Sequence, residues 1–252
     1  MRHGAAGVLV AALALAGPPA PAAADRIGRS VEGRPIGVTR VGDPAATRRV
    51  LVVGCVHGDE CAGRAVVDAL RGATPPPGTQ LLLVRNANPD GFAHRTRGNA
   101  RGVDLNRNAA QGWRSGGVHG ARPFSEPETR ALRALVLRER PALTVWYHQP
   151  LGLVDLPEAG DARAARAYAH RTGLPLRRLP AYPGSLSRWQ NARMLAGSSF
   201  VVELPRGRLR PLGVLVHATA VLSAASDAAA RTDRARRRPA SGSRSPNPTP
   251  RR

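Results

Sequence analysis

The chain contains no lysine. All 38 basic residues among its 252 are arginine, and against 17 acidic residues they give a formal charge of +21. A charge of that size invites a nucleic-acid reading. Yet the arginines are scattered, no nucleic-acid motif accompanies them, and Ala, Gly and Pro are abundant too. The excess is therefore read as compositional, of the kind a GC-rich coding sequence produces. It excludes a specific nucleic-acid partner and leaves a general attraction to anionic polymers. Cysteine is nearly absent: only Cys55 and Cys61 occur, and they are not in Cys-x-x-Cys spacing, which argues against a cysteine zinc site. They form either a short disulfide or two buried thiols. Long apolar runs are missing beyond the first residues, so no later stretch spans a membrane. No internal repeat occurs. Aromatics make up 4% and hydrophobic residues 42%, enough for one domain with a real core.

The N-terminus carries the pattern of a targeting segment. "MRHG" is a short basic region, "AAGVLVAALALAG" a short apolar one, and "PPAPAAA" combines helix breakers with small residues. Residues 1–24 are read as a signal peptide cleaved before Asp25, residues 25–230 as the folded domain, and residues 231–252 as a disordered tail rich in Arg, Pro and Ser. No cysteine lies near the cleavage site, which excludes a lipoprotein. The mature protein is expected to be a monomer in the cell envelope or outside it.

Between these ends, strand-like and helix-like stretches alternate. "RVLVVG" (49–54), "TQLLLVRN", "PALTVWYH" and "SSFVVELP" read as buried strands. "DECAGRAVVDALRG", "SEPETRALRALVLRER", "GDARAARAYAHRTG" and "PLGVLVHATAVLSAASDAAA" read as helices. In the second of these, Ser125 and Glu128 are spaced for a capping box, with Pro127 in the first turn. The fold class is α/β: a three-layer sandwich around a mixed, mostly parallel twisted sheet. In such sheets ligands bind beyond the carboxyl ends of the strands. His57 and Glu60, His148, and Glu203 all fall at such ends.

Two histidines and a glutamate, with a fourth position open, describe a catalytic zinc site. Zinc lowers the pKa of its water toward about 7 and polarises a carbonyl. A carboxylate such as Glu203 can take the water's proton and return it to the leaving amine. Alone, His-x-x-Glu is a weak signal, and its plain reading is a solvated surface turn.

The match is not alone. "HGDE", "NPDG", "GVDLNRN", "PFSEPET", a histidine at a strand end and "VVELP" follow in order. Together they resemble the zinc carboxypeptidase family related to carboxypeptidase A, in its bacterial branch that contains murein peptide amidase. The resemblance runs from "SVEGRPI" near Ser30 to about Leu204. It implies a phosphorylase/hydrolase-like fold, one Zn2+ per chain, and a peptide or muropeptide substrate. It also implies His57, Glu60 and His148 as metal ligands, Glu203 as general base and acid, and Arg97 as the oxyanion stabiliser. Asn106 and Arg107 then hold the substrate's terminal carboxylate, which suits a guanidinium fork, and Asp104 orients the first zinc histidine. Arg95 and Arg101 flank Arg97 and compete for its assignment. His94, His119, His170 and His217 match nothing and are read as surface or packing residues. No lid tyrosine aligns; Tyr182 in "AYPGSLSRW" is the candidate. Two competing readings stand beside the peptidase: a deacylase of N-acyl amino acids, sharing His-x-x-Glu and a later histidine, and a non-catalytic basic wall-binding protein.

Overall fold

The structure is a computed structural model and describes residues 24–194 and 197–237, with side chains of the last helix described as far as residue 227. The strands are β1 (Asp25–Arg29), β2 (Pro35–Gly42), β3 (Arg48–Val53), β4 (Thr79–Val84), β5 (Leu143–His148), β6 (Leu151–Asp155), β7 (Leu176–Arg177) and β8 (Ser198–Pro205). The helices are α1 (Gly63–Leu70), α2 (Pro89–His94), α3 (Pro127–Glu139), α4 (Arg163–Thr172), α5 (Leu186–Arg193) and α6 (Pro211–Arg237). Two single 3-10 turns, Leu105–Arg107 and Gly117–His119, lie in the long stretch between α2 and α3.

One eight-stranded sheet runs in the order β1-β2-β4-β3-β5-β8-β6-β7. Its centre, β4-β3-β5-β8, is parallel, while β2 and β6 join antiparallel on either side. β4 and β5 are buried along their whole length, and β3 and β8 over most of theirs, so all four read as largely apolar runs. Side chains alternate between the two faces. Val50, Val52, Leu81, Leu83, Val145, Tyr147, Phe200 and Val202 pack one way, against Val66 and Leu70 of α1, Tyr168 of α4 and Val221 of α6. Leu51, Val53, Leu82, Val84, Trp146 and Val201 pack the other way, against Leu132 and Val136 of α3 and Leu186 and Trp189 of α5. The result is the three-layer α/β sandwich expected from the alternation of elements.

Three local expectations change. The first helix begins at Gly63, not Asp59, so residues 55–62 form a loop and Asp59 lies outside the helix, exposed. The expected capping box at α3 does not form. Glu126 occupies the N-cap position without capping the helix through its side chain, Ser125 donates to the Glu126 carboxylate at 2.7 Å, and Glu128 accepts the Val31 N–H at 3.0 Å. Long-range partners outcompete the local cap. Finally, α6 continues to Arg237, inside the segment read as disordered from 231; Ala and Arg there are strong helix formers. The rest of that tail and the expected signal segment up to residue 23 lie outside the described residues. No described helix is long and apolar enough to cross a membrane.

Candidate metal centre and active site

The parallel pairing of β5 and β8 sets the site. It puts His148 directly opposite Glu203, both at the carboxyl end of the sheet. The neighbouring strand β3 ends at Val53, and the loop after it delivers His57 and Glu60 to the same edge. Gly58 lets that loop lie flat on α2: a Cβ there would sit 1.9 Å from the Gly91 carbonyl carbon. Cys55 and Cys61 bracket the loop and are joined as a disulfide, which resolves the two alternatives open from the sequence.

Three donor atoms converge. His57 Nδ1 lies 2.8 Å from Glu60 Oε2 and 3.1 Å from His148 Nδ1, and His148 Nδ1 lies 3.3 Å from Glu60 Oε2. Among the described residues these three form the group able to hold a metal ion. Two ligands of a tetrahedral zinc at the usual bond lengths stand about 3.4 Å apart, so the triangle is of zinc size, slightly contracted. Two imidazoles and a carboxylate are also the donor chemistry of a three-ligand zinc site with an open position. The residues therefore fit one Zn2+.

The histidines are presented as ligands by their surroundings. His57 Nε2–H donates to Asp104 Oδ1 at 2.9 Å, which leaves the Nδ1 lone pair facing the other donors. Burial lowers His57's affinity for a proton, but the Asp104 and Glu60 carboxylates outweigh it and hold its pKa above the ordinary value. Burial dominates at His148 and pushes it down to about 4, so that imidazole is neutral at pH 7. Burial would raise Glu60 and Asp104, yet both stay well below the usual carboxylate range. His148 and His57 hydrogen-bond Glu60, and His57 does the same for Asp104 with Arg97 and Arg107 nearby.

Glu203 behaves differently. Burial, reinforced by the Glu60 charge, raises its pKa, and its Oε2 is buried without a hydrogen-bond partner. A buried carboxylate oxygen left unpaired in the same cleft as three metal-type donors calls for an explanation beyond packing.

The remaining expected residues come to the same cleft, of ≈ 220 Å³, lined among others by Arg97, Asn106, Arg107, Tyr182 and Glu203. Arg97 bonds Asp104 Oδ2 at 3.0 Å through Nε and Glu60 Oε1 at 2.5 Å through Nη1. The rival arginines go elsewhere: Arg95 ends α2 in the left-handed conformation, and Arg101 pairs with Glu126. Asn106 accepts the Leu186 N–H at 2.9 Å, and its amide nitrogen lies 3.4 Å from His148 Nε2. The Arg107 guanidinium lies over the Tyr182 ring, 4.3 Å from its centroid. His94 pairs with exposed Glu32, and buried His217 bonds Tyr168 at 2.7 Å, both outside the site.

Sequence reasoning missed the scaffold of this site. Gln149 donates its backbone N–H to Glu60 Oε2 at 3.3 Å, while its side chain ties Ala62 N to the carbonyls of Pro205 and Gly207. Asn108, fully buried, accepts from Thr129 and donates to the His119 and Arg122 carbonyls. Asp90 of "NPDG" accepts from Ser30, Glu32 and Arg34, so that phrase and "SVEGRPI" are two halves of one contact. The only sequence signal for these roles was that uncharged or acidic side chains cluster in turn-rich stretches.

Comparison with known proteins agrees with the geometry. The family model described as a protein of unknown function, DUF2817, matches residues 16–153. Murein peptide amidase A of Escherichia coli K12 is 35% identical over 190 residues, which cover 67% of this chain and 76% of that protein. The same-named protein of Vibrio campbellii is 31% identical over 197 residues, covering 71% and 77%. Among solved structures, the murein-tripeptide amidase MpaA from Escherichia coli O157 superposes with a TM-score of 0.63 at 26% identity, over 85% of this chain and 93% of that one. Carboxypeptidase A from Helicoverpa armigera shares the fold, with a TM-score of 0.70 at 20% identity over 84% and 69%.

Proposed function

This chain belongs to the murein peptide amidase A family of zinc metallocarboxypeptidases, and on that premise we propose that it is an exported hydrolase cutting murein peptides at an amide bond beside a free carboxylate. The observation that carries the reading is the convergence of His57, Glu60 and His148 on one point, with the unpartnered Glu203 oxygen in the same cleft as Asn106 and Arg107.

The assignment follows the chemistry of each group. His57, Glu60 and His148 would hold Zn2+, which when bound would polarise a carbonyl and acidify a water. Glu203, raised in pKa by its burial, would take the attacking water's proton on its free oxygen and deliver it to the leaving nitrogen. Arg97 uses at least two of its five N–H groups on Glu60 and Asp104, leaving others for the carbonyl oxygen as it gains charge. Arg107, braced on the Tyr182 ring, and the Asn106 amide bind the terminal carboxylate. Asp104 fixes the His57 ring. Export rests on the basic, apolar and small-residue order of residues 1–24.

Glu203→Gln tests the core of this reading. The variant is expected to retain one zinc per chain by elemental analysis and to lose about 10²–10⁴-fold in kcat on a muropeptide, read by mass spectrometry of the products. Full activity would remove Glu203 from its role. A preference for N-acyl amino acids over peptides would favour the deacylase alternative.

A further inference from the structure

The three most exposed large hydrophobic side chains among the described residues are Leu212 at 72%, Leu215 at 59% and Leu151 at 56%. They surround one loop. β8 ends at Pro205, which pairs with Leu151 at the start of β6, and α6 begins beyond the loop at Pro211. Leu212 and Leu215 lie one turn apart at the start of α6 and so share a face. Farther along the helix the exposed positions Thr219, Ser226 and Asp227 are polar. A single exposed leucine needs no explanation, but three around one loop do.

The loop itself is cationic. Arg206, Arg208 and Arg210 are exposed, and none of them has a carboxylate partner among the described residues. No acid occurs between Glu203 and Asp227. The first turn of α6, where acids are favoured, therefore has none.

We infer that this loop and the start of α6 form a docking surface for an anionic lipid bilayer. The leucines enter the boundary between headgroups and acyl chains, and the arginines meet the anionic headgroups. A protein partner would be met by an aromatic-enriched patch, and the stretch from Pro205 to Leu215 contains no aromatic residue. A soluble polyanion would engage the arginines and leave the leucines in water. No described helix is long and apolar enough to cross a membrane, so the contact is peripheral. It also has a direction. Leu151 lines the cleft that holds Arg107 and Glu203, so docking brings the rim of that cleft to the lipid surface. The inference does not depend on the peptidase reading, because it needs neither a substrate nor turnover.

The test is co-sedimentation of the zinc-loaded protein with vesicles of phosphatidylcholine containing phosphatidylglycerol. Leu212→Ser/Leu215→Ser is expected to weaken binding about tenfold. Arg206→Gln/Arg208→Gln/Arg210→Gln is expected to weaken it about 100-fold, at roughly fivefold per arginine near an anionic surface. Arg114→Gln/Arg122→Gln/Arg166→Gln removes the same charge from exposed arginines elsewhere and is expected to change it by about twofold at most. All variants keep both chain ends, so any affinity of the ends is common to them. In Leu212→Trp, the fluorescence in excess of the unsubstituted protein is expected to be quenched by brominated lipid, which reads insertion without relying on lost binding. No vesicle binding by the unsubstituted protein, equal binding by the leucine variant, or absence of that quenching overturns the inference. So does a loss in the control arginine variant as large as in the loop variant. If the loop arginines matter equally for soluble poly-glutamate and for vesicles, and the leucines for neither, the surface takes polyanions and the bilayer is overturned as its partner.

Discussion

Replacing Asp104 by Asn probes the link between the arginine and the metal ligands. The Asp104 side chain is 7% exposed and accepts three bonds: from His57 Nε2 at 2.9 Å, from Arg97 Nε at 3.0 Å, and from the Asn106 N–H at 2.8 Å. Asparagine has one neutral acceptor for donors that now share two charged oxygens, and its NH2 group opposes the Arg97 N–H. Charge-assisted bonds stabilise by about 1.5–3 kcal/mol and neutral ones by about 0.5–1.5, so the His57 contact loses roughly 1–1.5 kcal/mol. Misalignment of Arg97, and through it Glu60, adds to this. The sum corresponds to a fall in zinc affinity of about 10–100-fold, the range typical of groups that orient metal ligands. The assay is competition for zinc against a chromophoric chelator near neutral pH. Asp59→Asn is the control: it removes the same charge from an exposed acid that makes no bond to His57. An Asp104→Asn dissociation constant within about twofold of that control would refute the reasoning.

Gly184→Ala should damage carboxylate binding from a distance. Gly184 has φ +69°, and a Cβ there would sit 2.0 Å from the Arg107 carbonyl oxygen. Raised KM with bound zinc unchanged is the expected result; unaltered steady-state constants would count against it. The stability of the fold should depend on His217, which burial pushes down to about 4. A histidine depressed in the folded state contributes fully above about pH 6.5, and that contribution is lost as pH falls toward 4, by about 2–3 kcal/mol. His217→Gln should flatten the urea-measured stability over that window, and an unchanged slope would exclude His217 as the cause. Reducing the Cys55–Cys61 bond, which spans a sequence separation of 6, should lower stability by about 2 kcal/mol in denaturant titrations with and without reductant.

The sequence carried the centre of the sheet better than its margins. The middles of β3, β4, β5 and β8 are buried on both faces, so they appear as apolar runs. β1, β6 and β7 are short and mixed in exposure, and their pattern does not separate them from loops. The capping box failed for a related reason. Ser125 and Glu128 had the right spacing, but Asn108, Asn99 and Val31 reach them from 17 to 97 residues away. Local spacing says nothing about such partners.

The site divides the same way. Residues proposed to do the chemistry are particular types at strand ends, and so they stood out: His57 and Glu60 after β3, His148 ending β5, Glu203 near the end of β8. The register of β5 against β8 then brings His148 and Glu203 together without further instruction. Residues whose work is to hold that chemistry in place stayed hidden. Gln149 looks like any polar residue before a proline, yet it joins Glu60 of the metal-type cluster, the start of α1 and the loop after β8. A glutamine can do this because it offers an acceptor and two donors on one side chain. Its side-chain amide thus ties the start of α1 to the loop after β8, while its backbone N–H reaches Glu60, so one residue fixes the two loops that flank the metal-type cluster.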